Sequence, residues 1–209
     1  DISSYLKCPI PAVILNGIDT DKFTLGNQVL ARAKFQLPYA QFLIGSSGRL
    51  EPEKGHQYLI QAMAFLPKQV HLVIAGHGSE FVALNQLVTK LNLSQQVTFL
   101  GRVDDMVSFY QGLNVFCLPS LKEGMPLAPL EAQACGIPAV VTAVGGSREA
   151  LCPISGKIVP KANPQALASA LLVDMLSETE PIIPRRFVTQ HADIRRTVAA
   201  YQALLTPVH

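Results

Sequence analysis

The strongest constraint on this chain is a regular alternation. Short apolar runs, "AQFLIGSSG" (40–48), "VHLVIAG" (70–76), "QVTFLG" (96–101), "NVFCLPS" (114–120), "PAVVTAV" (138–144) and "GKIVP" (156–160), are separated by segments of helical periodicity. Between the first two, Leu59, Met63 and Leu66 share a helical face with Tyr58, Ala62 and Phe65 beside them; in the next interval Phe81, Leu84, Leu87, Val88 and Leu91 repeat the spacing. A short helix is expected near 104–111, another over 164–177 with Leu167, Ala170, Leu171 and Met175 on one face, and a last one over 191–205. Near-continuous apolar strands cannot tolerate a wet face. The pattern therefore predicts an α/β fold: a parallel sheet with helices on both faces and right-handed connections. In such sheets ligands bind beyond the carboxyl ends of the strands. The Gly-rich turns at 45–48, 76–78, 101 and 145–146 fall on that rim, as do Arg49 and Glu123.

The ends of the chain are less regular. One short strand is expected at 12–15, followed by an Asn-Gly turn, and "GGSREAL" (145–151) reads as the start of a short helix. The stretch 177–190, rich in Pro, Glu, Thr and Arg, reads as a linker between helices.

Composition narrows the functional classes. The 209 residues are 49% hydrophobic and 15% charged, enough for a large core, and the net charge of +2 is spread without a basic stripe. Nucleic acid is not an expected partner. No apolar run approaches the roughly 20 residues of a membrane span, and no signal peptide is visible. Cys8, Cys117, Cys135 and Cys152 form no C-x-x-C pair and read as free thiols in a reducing compartment. The histidines are scattered without ligand spacing, so no metal site is expected.

Three stretches can carry chemistry. In "GSSGRLEPEKG" (45–55), small residues at a strand end are followed by Arg49, Lys54 and the start of a helix, an arrangement suited to an anion. The plain alternative is a solvated basic loop in which Glu51 and Glu53 partner the cations. "AGHGSE" (75–80) is a G-x-G turn after a strand; Phe81 stands where a dinucleotide fingerprint needs its third glycine. Neither "GSSG" nor "VGGSR" matches the G-x-S-x-G elbow of a hydrolase. In "EGMPLAPLEAQACG" (123–136), Pro126 and Pro129 remove two N–H donors from a turn that otherwise suits an anion. Gly124, Met125, Leu127 and Ala128 keep theirs. Glu131 then falls in the first helical turn, where a carboxylate is favoured by the dipole, and Glu123 could equally be a polar loop residue.

Together, "LNGIDTDKF" (15–23), "GRLEPEKG" (48–55), "LVIAGHGSE" (72–80), "VTFLGRV" (97–103), "VFCLPSLKEGMPLAPLEAQACGIPAVVT" (115–142) and "VGGSREAL" (144–151) resemble the donor-binding domain of family-4 retaining glycosyltransferases. The resemblance covers roughly residues 12–175 and implies a Rossmann-like domain, one half of the two-domain GT-B fold. It implies a nucleotide-diphospho-sugar donor, UDP- or GDP-linked, with no cofactor, and a cytoplasmic enzyme of polysaccharide or glycolipid biosynthesis. It implies that Arg49 and Lys54 grip the diphosphate, that Glu131 accepts from the ribose hydroxyls, and that Glu123 contacts the transferred sugar as the candidate catalytic carboxylate. Gly48 and the backbone of Gly124, Met125, Leu127 and Ala128 are expected near the sugar and phosphate. Gly76, His77 and Gly78, with Arg102 and Val103, are expected to border the base. Where many members read "EGFG", this chain reads "EGMP", which leaves Leu127 and Ala128 as the phosphate donors.

The same resemblance divides the chain into an interdomain linker with a first strand (1–24), a donor-binding domain (25–190) and a crossover helix (191–209). An acceptor-binding N-terminal domain is expected outside this sequence, which starts at Asp1, so the chain is expected to be a fragment or one half of a split enzyme. By itself it is expected to bind donor weakly and transfer little. Contact with the inner face of a membrane is expected only through the other domain. The alternatives are a sugar-nucleotide epimerase half, against which the Glu123/Glu131 pair argues, and a non-catalytic nucleotide-sugar binding module, against which the intact set Arg49, Lys54, Glu123 and Glu131 argues.

Overall fold

The computed structural model of the chain describes residues 13–177 and 179–205. At its centre are six strands: β1 Phe42–Ser47, β2 Val70–Ala75, β3 Val97–Gly101, β4 Val115–Leu118, β5 Ala139–Thr142 and β6 Lys157–Val159. Their spatial order is β3-β2-β1-β4-β5-β6, and every pairing is parallel. The chain builds outward from β1 to one edge, then returns past it to build the other. The boundary between β1 and β4 is therefore the topological switch point.

Eight helices complete the described fold: α1 Gln28–Lys34, α2 His56–Met63, α3 Phe81–Lys90, α4 Met106–Gln111, α5 Ala128–Ala134, α6 Pro164–Leu176, α7 Ile182–His191 and α8 Ile194–Leu205. Side-chain alternation along the strands divides the core into two layers. Leu43, Phe116, Leu118, Ala139 and Val141 pack with residues of α4, α5 and α7, including Phe109, Tyr110, Leu130 and Val188. Ile44, Leu72, Ile74, Val115, Cys117 and Val140 face α2, α3 and α6, meeting Leu59, Met63, Leu84 and Leu167. Each fully buried side chain of this kind contributes about 1.5–3 kcal/mol, which is why the strands carry apolar residues on both faces.

Three expectations are corrected. Residues 13–15 form no strand; Val13 is 78% exposed, the Leu15 carbonyl accepts from Thr197 Oγ1 at 3.0 Å, and the chain makes an isolated parallel bridge further on, between Ile18 and Asp193. Position 12 and Cys8 lie outside the described residues. The expected linker at 177–190 contains α7. Its Pro184 concealed it: proline is compatible with a first helical turn, where its missing N–H is not needed. The segment after Val144 makes only the 3-10 turn Gly145–Ser147. Helix α1 was not anticipated; Asn27 caps it by accepting from Leu30 N at 3.1 Å.

Arg185 on α7 secures the region before α1. Its guanidinium donates to the carbonyls of Phe23 (2.9 Å), Ala134 (2.7 Å) and Thr20 (3.2 Å). Among the described residues no helix is long and apolar enough to cross a membrane.

Candidate functional site

A crevice of about 450 Å³ opens at the carboxyl ends of the strands, between the ends of β1 and β4. Its floor is laced together by backbone hydrogen bonds: Gly48 N donates to Ala75 O at 3.0 Å, and Gly76 N to Gly101 O at 2.8 Å. A Cβ on Gly76 would fall well inside van der Waals contact with Gly48 O, so only glycine allows these two turns to close on each other.

After β1 the chain exposes Arg49, buries Leu50 and tightens into the 3-10 turn Pro52–Lys54. Gly55, at φ 64°, ends that turn in the left-handed region and starts α2. The turn sends Lys54 back over the crevice. Its Nζ lies 2.7 Å from Glu123 Oε1, with side chains 22% and 10% exposed. Ser120 Oγ donates to the same oxygen at 2.6 Å. Arg49 pairs with Glu53 at 3.0 Å on the surface, while Glu51 accepts from Ser79 Oγ at 2.8 Å. Of the two acidic partners that a plain basic loop would use, only Glu53 therefore holds a cation, and Lys54 is turned inward.

Helix α5 places the second carboxylate. Its first internal bond runs from Glu131 N to Leu127 O at 2.9 Å, so the N–H groups of Leu127 and Ala128 precede the helical ladder. Glu131 Oε2 accepts from Tyr110 OH at 2.7 Å, and that hydroxyl also meets Ser47 Oγ at 3.3 Å. Burial lifts the Glu131 carboxyl above its ordinary range, opposed by the Tyr110 hydrogen bond and by Lys22. The Tyr110 phenol is pushed far up, first by burial and then by the Glu131 charge, so it keeps its proton to donate.

The crevice walls contain Gly48, Arg49, Lys54, Gly76, His77, Arg102, Val103, Glu123, Met125, Leu127, Ala128 and Glu131. Two expected members stand elsewhere. Gly78 is packed against the Leu50 backbone, and Gly124 is turned outward, its carbonyl accepting from Gly146 N at 2.6 Å. Sequence reasoning missed Ser47, Ala75, Met106, Tyr110 and Leu118, which also line the crevice, as does Pro126, expected only as an absent donor. A signal for Tyr110 existed: a tyrosine on the inward face of a helix brings a hydroxyl that must find a partner. Among the described residues no group of three or more His, Cys, Asp or Glu side chains could hold a metal ion.

A doubly wound parallel sheet with a cation-bearing crevice at its switch point defines a Rossmann-like ligand-binding domain. The profile of the glycosyl transferases group 1 matches residues 28–183. A D-inositol 3-phosphate glycosyltransferase of Mycolicibacterium gilvum is 35% identical over 202 residues, which cover 93% of this chain and 45% of that protein. Anabaena HepE, solved in complex with UDP, superposes with a TM-score of 0.87 at 25% identity, covering 93% of this chain and 57% of that one. Sucrose-phosphate synthase from Thermosynechococcus elongatus gives 0.87 at 27% identity, covering 98% and 55%. The chain belongs to the group 1 glycosyl transferases and has the Rossmann-like fold of their GT-B architecture. It spans about half the length of the curated relatives it matches.

Proposed function

We propose that this chain is the donor-binding half of a retaining glycosyltransferase that moves a sugar from a nucleotide-diphospho-sugar to an acceptor without a metal ion. One observation carries the reading: a single crevice gathers Arg49 and Lys54, from the loop after β1, with Glu123 and Glu131, from the loop after β4 and the start of α5, two segments about 70 residues apart in sequence. The presence of UDP in the HepE structure supports a uridine or related diphosphate as the donor group.

In this reading the bond between the anomeric carbon and the phosphate oxygen breaks, and negative charge builds on the departing diphosphate. Lys54 and Arg49 stabilise that charge, Arg49 by leaving its exposed partner Glu53. The N–H groups of Leu127 and Ala128 add donors that Pro126 cannot. Glu123, fixed by Lys54 and Ser120, faces the positive charge that develops on the sugar ring. Retention requires the acceptor to arrive on the face the diphosphate leaves. The acceptor site, and any contact with the inner face of the membrane, belong to the other half of the enzyme. The chain alone binds donor weakly, transfers little and works in the cytoplasm.

Calorimetry with UDP, GDP and a nicotinamide dinucleotide, each with and without EDTA, tests the proposal. UDP or GDP should bind unaffected by EDTA, and Arg49→Ala and Lys54→Ala should each weaken binding roughly tenfold or more. A nicotinamide preference, or unchanged affinity in both variants, would refute it.

A further inference from the structure

We propose that Tyr110 is a positioning residue: it fixes the Glu131 carboxylate so that Oε1 is presented to the vicinal hydroxyls of the donor's ribose. This rests on the nucleotide-diphosphate reading above.

The carboxylate plane of a glutamate is poorly fixed by its own torsions, because the final sp³–sp² rotation is broad. Something else must hold it. Tyr110 is 1% exposed, and its ring is held on three sides. Phe109 and Phe116 meet it edge-on at 5.5 Å each, and Phe23 lies at 6.1 Å. Helix α4 is itself anchored at its start, where Asp105 accepts from Ser108 N at 3.1 Å. A ring so confined has one place for its hydroxyl, between Ser47 Oγ and Glu131 Oε2.

The proton inventory then sets the direction. An ionised carboxylate only accepts, and the phenol has a single proton. Tyr110 therefore donates to Glu131 and accepts from Ser47, giving a chain Ser47→Tyr110→Glu131. With Oε2 engaged, and no described protein group bonded to Oε1, the second oxygen is left for a ligand. A vicinal diol offers O–H donors, the complement of a carboxylate held in one orientation.

The test compares UDP with 2′,3′-dideoxy-UDP in the full chain by calorimetry. The wild type should prefer UDP, Glu131→Gln should reduce that preference, and Tyr110→Phe, which removes one oxygen, should reduce it by roughly tenfold. A loosened fold would weaken both ligands alike, so the ratio isolates positioning from packing. Should Tyr110→Phe fail to fold, Ser47→Ala decides: a reduced ratio supports the chain of donors, and a wild-type ratio overturns it. A wild-type ratio in folded Tyr110→Phe overturns the proposal while leaving the nucleotide reading intact. Absence of any ribose preference in a wild type that binds UDP overturns this proposal alone, and absence of binding of both UDP and GDP overturns both.

Discussion

Removing the Lys54 charge should destabilise the fold as well as the site. The ammonium and carboxylate stand 2.7 Å apart with only 22% and 10% of their side chains exposed. At an effective dielectric constant near 20, that separation gives an attraction of about 6 kcal/mol, much of it offset by desolvation. Lys54→Met leaves the Glu123 carboxylate with Ser120 as its remaining donor and should cost about 3 kcal/mol, the usual consequence of stranding one member of a buried pair. Glu123→Gln should cost about 1 kcal/mol, because Lys54 borders the open crevice and can regain water. The double variant should lose less than the two singles combined, leaving a coupling of about 2 kcal/mol. Urea unfolding of all four proteins measures it directly. A coupling below about 0.5 kcal/mol would show that the pair is neither buried nor fixed enough for this reasoning.

Two further outcomes are expected. Gly76→Ala places a methyl group against Gly48 O, so the β1 and β2 turns must separate; both the urea midpoint and UDP affinity should fall, and a wild-type midpoint would refute the close approach. Asp105, lowered to about 2 by hydrogen bonds first from Lys34 and then from Ser108, contributes stability that is present above its ordinary value of 3.8 and is lost as pH falls towards 2. The stability difference between wild type and Asp105→Asn should close across that interval; a difference constant with pH would contradict the assignment.

Periodicity made the sheet legible, because a parallel strand buried on both faces leaves a continuous apolar run. The rim was legible for the same reason: glycines and charges stop those runs at one end. What escaped the sequence is what depends on tertiary placement. Helix α7 is masked by its own proline and charges, since it takes the packing of Phe187 and Val188 against the core to identify its inner face. The run at 13–15 has strand composition but, among the described residues, pairs with no strand. In the site, the charged members were visible as motifs, whereas Tyr110 lies in a different segment from the glutamate it serves. Its hydroxyl acquires a partner only when α4 and α5 are packed together. The inward turn of Lys54 was likewise hidden, because Glu51 and Glu53 are nearer in sequence than Glu123.

The three carbonyls gathered by Arg185 decide how small a working fragment can be. The matched span, 28–183, begins after Phe23 and stops before Arg185. A protein trimmed to those bounds would lose Ile18, Phe23 and Val188 from the layer that contains Tyr110, and would leave the Ala134 carbonyl at the end of α5 without its guanidinium. The span of the family profile is thus shorter than the stretch that packs as one unit. Excision along the profile's boundaries would remove the buttress behind the carboxylate it was meant to isolate.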